Sequence, residues 1–358
     1  MEPPTIDWGM EERALGLVDW RSASRVGRSL TGSGPSLTAA DRAAMREELS
    51  RSVTTAEPLV ADFTGLEVRG PCPRAWTMSR GEWSDANLHS IERVIEPMVV
   101  RTITAQRGRS AANPLRSKAL GAQLGALFGY ISRKVLGQFD PFLPPDDEGL
   151  IYFVGPNVAE AERRFAFDRS EFRLYLALHE VTHRVQFSDA VWLRGHILTT
   201  IDSYLSATEL DSRRLAENVG TFVEELRSGR APGGIGFALS LMTPEQRELF
   251  HRVQATMSLI EGHASFVMNG VGRGRLKTFE RMKRTLAERR RTGGLERAFQ
   301  QVIGFDHKIK QYGAGERFVT EVVERAGMEG MNLVWRTPLN LPGADEIGEP
   351  GRWLARVA

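Results

Sequence analysis

Residues 172–187 read FRLYLALHEVTHRVQF, and inside them stands the run His179-Glu180-Val181-Thr182-His183. On a helix, residues four apart lie one above the other, so His179 and His183 can both present an imidazole nitrogen to one ion about 2 Å away. Glu180 is then adjacent but rotated, placed to accept a proton from a metal-bound water rather than to bind the metal. Phe172, Leu174, Leu176, Leu178, Val181 and Val185 make the segment largely apolar, and it contains no proline. The expectation is a buried helix over residues 172–187 bearing a two-histidine metal motif. The plainer reading of the same letters is a pair of core or surface histidines flanking a solvated glutamate.

A catalytic zinc needs a third protein ligand and an open fourth position. Asp189 follows His183 by six residues, where HExxHxxGxxH enzymes place a third histidine, but Gln186 stands at the glycine position of that pattern. His196 is near in sequence and lies beyond a helix break expected at Ser188-Asp189. Glu261 sits in SLIEGHASFVM, 78 residues beyond His183, flanked by Leu259, Ile260, Phe266 and Val267. An acid in such company is costly to bury alone, and a metal would explain it. Gly262 and Ala264 are small enough to let its helix approach the histidine helix closely.

Working outward, the chain reads as mainly α with a small β component. Thr38 with Asp41 starts a helix over 37–66, and residues 83–107 are similar. Residues 119–136 carry an apolar face with glycines and alanines between, suited to a tightly packed helix. IYFVG, Ile151 to Gly155, is the best strand candidate, bounded by Pro145, Gly149 and Pro156. Residues 192–227 are helical in pattern, and APGGIG, Ala231 to Gly236, reads as a hinge or loop. Thr243-Pro244-Glu245-Gln246 opens a long helix to about Asn269. Two more helical segments follow, and the tail from Trp335 reads as proline-rich and irregular. The organisation is an N-terminal helical region, 1–145, and a metal-site region, 146–358, or one compact domain overall.

Composition bounds the function. The 358 residues carry 47 Lys plus Arg against 45 Asp plus Glu, so a net charge of +2 supplies no chain-wide field for nucleic acid or an acidic membrane. Cys72 is the one cysteine, which excludes an internal disulfide and a multi-cysteine metal site and favours a reducing compartment. No signal-peptide pattern or membrane-spanning run is read, so a soluble, cytoplasmic protein is expected. Residues 273–291 hold nine basic side chains against Glu280 and Glu288, with Leu276, Phe279, Met282 and Leu286 at helical spacing. That helix could meet RNA, an acidic partner or a membrane face, but an arginine-rich solvated face over a core stripe is the simpler account.

Two resemblances follow from these residues. Glu261 followed by Gly262 and Ala264 looks like the third-ligand motif of gluzincin peptidases. The segments VDWRSASRVGRSL, VLGQFDPF, IYFVGPNV, FRLYLALHEVTHRVQFSDAVWLRGH, LIEGHASFVMN and WRTPLNLPGADEIGEPGRWLARV resemble the zincin-like metallopeptidase type 2 family across nearly the whole chain. That family comprises hydrolases largely of actinobacteria, one branch of which is labelled as associated with deazaflavin-coenzyme biosynthesis. The resemblance implies a helical zincin-like fold, an HExxH helix packed on a second helix carrying a glutamate, and a zinc site of His179, His183 and Glu261. Nothing in the sequence reads as a deazaflavin pocket.

These readings lead to a zinc-dependent hydrolase, a metallopeptidase with Glu180 as general base and a peptide or protein as substrate, with neither membrane nor nucleic acid as partner. The IYFVG strand would serve as the edge along which an extended peptide aligns. Tyr204, His263 and Tyr312 are candidates to stabilise an oxyanion, and His263, Asp189, His196 and Tyr204 are candidates for the shell around the ligands. The competing reading is a catalytically silent zincin scaffold that binds or regulates a partner, through the cleft or the helix at 273–291. Glu180 favours turnover, because a pure binder has no use for a general base.

Overall fold

Helix starts fall where capping residues stand. Thr38 accepts from the Asp41 N–H while Asp41 answers the Thr38 N–H, opening α2, Ala39–Thr64, and Thr243 and Gln246 do the same at the head of the long helix. The computed structural model describes residues 18–357 except 33, 36, 73, 108–112, 143–149, 208–242 and 293–311. Along the chain come α1 (Trp20–Leu30), α2, β1 (Arg74–Met78), α3 (Arg80–Arg107), α4 (Pro114–Ile131), β2 (Gly137–Asp140) and β3 (Leu150–Val154). They are followed by α5 (Gly155–Phe165), α6 (Arg169–Asp189), α7 (Leu193–Ser206), α8 (Pro244–Arg275), α9 (Phe279–Thr292) and α10 (Tyr312–Arg336). A 3-10 turn, Pro338–Asn340, leads to α11 (Ala344–Gly348) and α12 (Pro350–Val357).

The sheet has the order β1-β3-β2, with β1 parallel and β2 antiparallel to β3. All five residues of β3 are buried, so the IYFVG strand is the centre of the sheet and not its edge. Its unbroken apolar pattern is that of a strand covered on both faces. Ile151 and Phe153 join Phe139 in the main core with α2, α6, α8 and α10, while Leu150, Tyr152 and Val154 pack with Met78, Trp83, Leu127 and Ile131 beneath α3 and α4. The sheet therefore lies between two helical layers. The main core runs from Met45 and Leu49 through Phe172 and Leu178 to Trp335 and Trp353, and β1 and β2 meet β3 across positions 145 and 146.

Glycines set two close crossings. In α4, a Cβ on Gly121 would stand 2.2 Å from the Asp19 carbonyl oxygen and one on Gly125 2.2 Å from that of Ala23, so α1 rests backbone to backbone on α4. A Cβ on Gly262 would stand 2.2 Å from the Gly315 carbonyl carbon, and one on Gly315 1.8 Å from the Ser258 oxygen. Gly262 thus serves the crossing of α8 with α10, not the approach of α8 to the histidine helix.

Other boundaries shift for local reasons. The helix expected at 119–136 begins at Pro114, capped by Asn113, and ends at Ile131, because the chain must turn into β2. The long helix continues past Asn269 to Arg275. The tail is helical: Trp353 is fully buried edge-on to Phe318 and its indole N–H donates to the Asn340 carbonyl, pinning α12. The hinge at 231–236 and the helical pattern at 208–227 lie outside the described residues. Among the described residues no helix is long and apolar enough to cross a membrane.

Candidate metal centre

The site begins with the helix that the histidines need. Asp168 caps α6 by accepting from the Glu171 N–H, and Phe172, Leu178, Val181 and Val185 are fully buried, so the helix is held by its apolar residues while His179, His183 and Gln186 share one face. Four-residue spacing brings His179 Nε2 and His183 Nε2 to 3.2 Å, with the rings nearly perpendicular at 86°. Packing of α8 against α6 then delivers Glu261. Its Oε2 lies 3.5 Å from His179 Nε2 and its Oε1 3.6 Å from His183 Nε2.

These three residues form a group whose ligand atoms all lie within 4.8 Å of one another. A tetrahedral zinc with bonds of 2.0–2.1 Å separates its ligand atoms by about 3.3 Å; the two Nε2 atoms stand 3.2 Å apart and each lies within 3.6 Å of a different Glu261 oxygen, so a carboxylate turned to offer one oxygen to both completes such a set. The donor set, two imidazoles and a carboxylate, is that of an open catalytic zinc site. The side chains of His179 and Glu261 keep 20% and 26% of their surface exposed, so the centre can be reached from solvent.

Glu180 follows His179 and lies between the ligand group and β2, close enough to feel the charges of His179 and Glu261. Its Oε2 accepts from the Phe139 N–H at 2.9 Å, and a Cβ on Gly137 would stand 2.8 Å from Oε1. The Val154 N–H donates to the Leu136 carbonyl, so in this antiparallel register Gly137 and Phe139 turn their backbone groups away from β3, toward α6. The edge strand of the sheet at the site is therefore β2, with the Phe139 N–H already held by Glu180. Burial pushes the Glu180 carboxyl up to about 7; His179 opposes that shift, Glu261 adds to it, and the Phe139 N–H opposes it. Such a value suits a group that takes and returns a proton near neutrality.

Behind the ligands lies a buried polar chain. His183 Nδ1 meets Gln186 Oε1 at 3.0 Å, and Gln186 Nε2 meets the Ile260 carbonyl and His263 Nδ1, each at 2.9 Å. Burial lowers the pKa of His183, and burial with a smaller push from His183 depresses that of His263 to about 3, so His263 is neutral. His263 stands edge-on to Trp335 with ring centroids 5.2 Å apart.

The remaining candidates have other surroundings. Asp189 accepts from the Glu67 N–H and tethers the segment after α2. His196 packs on Trp192, and Tyr204 lies against Phe250. Neither Asp189 nor His196 adds an atom to the ligand group. Tyr312 begins α10, and its side chain lies outside the described residues. In the basic stretch, Phe279, Met282 and Leu286 are buried, and Arg281 donates to the Phe165 and Ala166 carbonyls at the end of α5. Sequence reasoning missed Gly137 and Phe139 as partners of Glu180, because a four-residue strand carries too few letters for a pattern. For Gln186 a signal existed: a polar residue three positions after His183, on the same face of the helix.

A family model described as zincin-like metallopeptidase matches residues 18–354. The chain belongs to that family. A zincin-like metallopeptidase is thus the frame for this centre, and the matched span includes His179, Glu180, His183 and Glu261. The chain is also similar to a solved structure from Chloroflexus aurantiacus, titled "putative hydrolase with a novel fold", at 33% identity and a TM-score of 0.69, covering 95% of this chain and 98% of that one. No curated protein matches the chain significantly.

Proposed function

We propose that this zincin-like chain is a zinc-dependent hydrolase that cleaves peptide bonds, with His179, His183 and Glu261 holding the metal and Glu180 as general base. The observation that carries the reading is the convergence of two histidine Nε2 atoms and a carboxylate from a second helix, with one ligand atom from each within 4.8 Å of the others. When bound, zinc supplies a Lewis acid and a water acidic enough to lose a proton near neutral pH. Glu180 receives that proton at Oε1, the oxygen not engaged by the Phe139 N–H, and returns it to the departing amine. Its burial raises the carboxyl to about 7, which makes it a stronger base for that proton while leaving it able to give the proton up near neutrality. The β2 edge supports a peptide as the substrate, since an extended chain can pair with outward backbone groups at Gly137 beside the base.

Elemental analysis of protein purified without chelator tests the metal, with about one zinc per chain expected. Protein free of zinc that also takes up none on titration would overturn the reading. Hydrolysis of a mixed peptide library, followed by mass spectrometry, tests the activity, and zinc-loaded protein that cleaves none of it would favour the binding scaffold.

A further inference from the structure

Gln186 is fully buried, and its amide can be oriented without ambiguity. The Ile260 carbonyl can only accept, so the group 2.9 Å from it must be the amide NH2. That NH2 also meets His263 Nδ1 at 2.9 Å, which makes this ring nitrogen an acceptor. Oε1 is left for His183 Nδ1 at 3.0 Å, and that nitrogen must donate. A neutral imidazole carries one N–H. With its proton on Nδ1, His183 keeps a lone pair on Nε2, the atom that faces His179 and Glu261.

We infer that Gln186 is a positioning residue for the metal, selecting the tautomer in which His183 can ligate through Nε2 and fixing α8 so that Glu261 arrives opposite it. The inference rests on the zinc-site reading above. Ile260 immediately precedes Glu261, so one amide grips both ligand-bearing helices, α6 through its own backbone and α8 through the Ile260 carbonyl. His263 is the buttress: its Nδ1 holds the amide, while its Nε2 meets no hydrogen-bonding group among the described residues and its ring rests on Trp335. Turning the amide over would set its oxygen against the Ile260 carbonyl oxygen, which can only accept, and that repulsion fixes the orientation. Partners of this kind tune metal affinity as well as geometry.

The test uses the full chain, stripped with chelator and reloaded, with zinc affinity read by competition against a chromophoric chelator. Gln186→Met keeps the volume and removes every hydrogen bond. It is expected to weaken zinc binding by about 10- to 100-fold, with His263→Phe weakening it in the same direction. Independently, long-range 1H–15N spectra of the metal-free wild-type protein should show His183 protonated at Nδ1 and bare at Nε2, a readout that stands even if Gln186→Met fails to fold. A folded Gln186→Met that binds zinc as tightly as wild type, or a wild-type His183 protonated at Nε2, would overturn the inference. Wild-type protein that binds no zinc would instead sink the metal reading, and the tautomer would still report on the Gln186 geometry.

Discussion

Gly137 lies against Glu180 so closely that an added Cβ would stand 2.8 Å from Oε1 and 3.0 Å from Cγ. The backbone at Gly137 is not left-handed, so a methyl group there strains this contact and nothing in φ. Gly137→Ala should therefore keep its zinc and its fold while displacing the base. Misplacement of a reacting group by about 1 Å can cost roughly 100-fold in rate. Paired measurements of zinc content and hydrolysis check this; an Ala variant with full activity would show that Glu180 works from another position.

Ligand and base should separate by substitution. Glu180→Gln keeps the shape and should retain zinc, yet it cannot take a proton and should lose about 10²- to 10⁴-fold in hydrolysis. His183→Ala should lose the metal, and Glu261→Ala should bind it more weakly. Metal analysis of the three variants side by side decides the roles, and a metal-free Glu180→Gln beside a fully loaded Glu261→Ala would reverse them.

Arg173 on α6 is buried with Glu162, joined through Nε at 2.7 Å and Nη2 at 3.0 Å, and Nη1 also meets Glu48 of α2. Removing one partner of such a pair leaves an uncompensated buried charge. Arg173→Met should cost about 3–5 kcal/mol of stability, measured as a drop in unfolding free energy by urea titration.

The crossing of α8 and α10 leaves no room for a methyl group at Gly262 or Gly315. Gly262→Ala forces one backbone off the other and should destabilise by about 1–3 kcal/mol, the usual range for overpacking. Because Gly262 follows Glu261, zinc affinity should fall as well. Thermal unfolding with and without zinc separates the two effects.

Acid should loosen the joint between α8 and α9 once the pH falls below the ordinary carboxylate range. Burial works to raise the Glu171 carboxyl, but the Thr278 hydroxyl and the Thr278 and Lys277 N–H groups together hold it below the ordinary range. A folded-state pKa below the unfolded value of about 4.3 contributes stability that is complete above that pH and lost as pH falls through the folded pKa. Glu171→Gln should flatten that acid limb in a stability-versus-pH curve, with little change near neutrality in its slope.

Much of this architecture is legible in the letters where a local rule acts alone. The Thr38 and Thr243 caps mark their helices, and the spacing of His179 and His183 places both on one face, because these are contacts within a few residues. The strands β1 and β2 are not legible, since RAWTM and GQFD owe their extended form to pairing with β3 rather than to propensity. The facing of Gly262 toward α10 and the turn of Glu180 toward Phe139 depend on which elements meet, and the apolar pattern is silent on that.

The Trp192 indole N–H donates to the carbonyl of Trp335, 143 residues onward, and the Trp335 ring rests on His263. A ribosome releases the histidine helix long before it releases either Glu261 or this tryptophan. Until then the two imidazoles have neither their third partner nor the wall behind them, and a nascent chain can offer an ion only a loose, two-point grip. On the zinc reading, metal capture therefore waits until both Glu261 and Trp335 have been made, and it favours a chain that carries them over any shorter fragment.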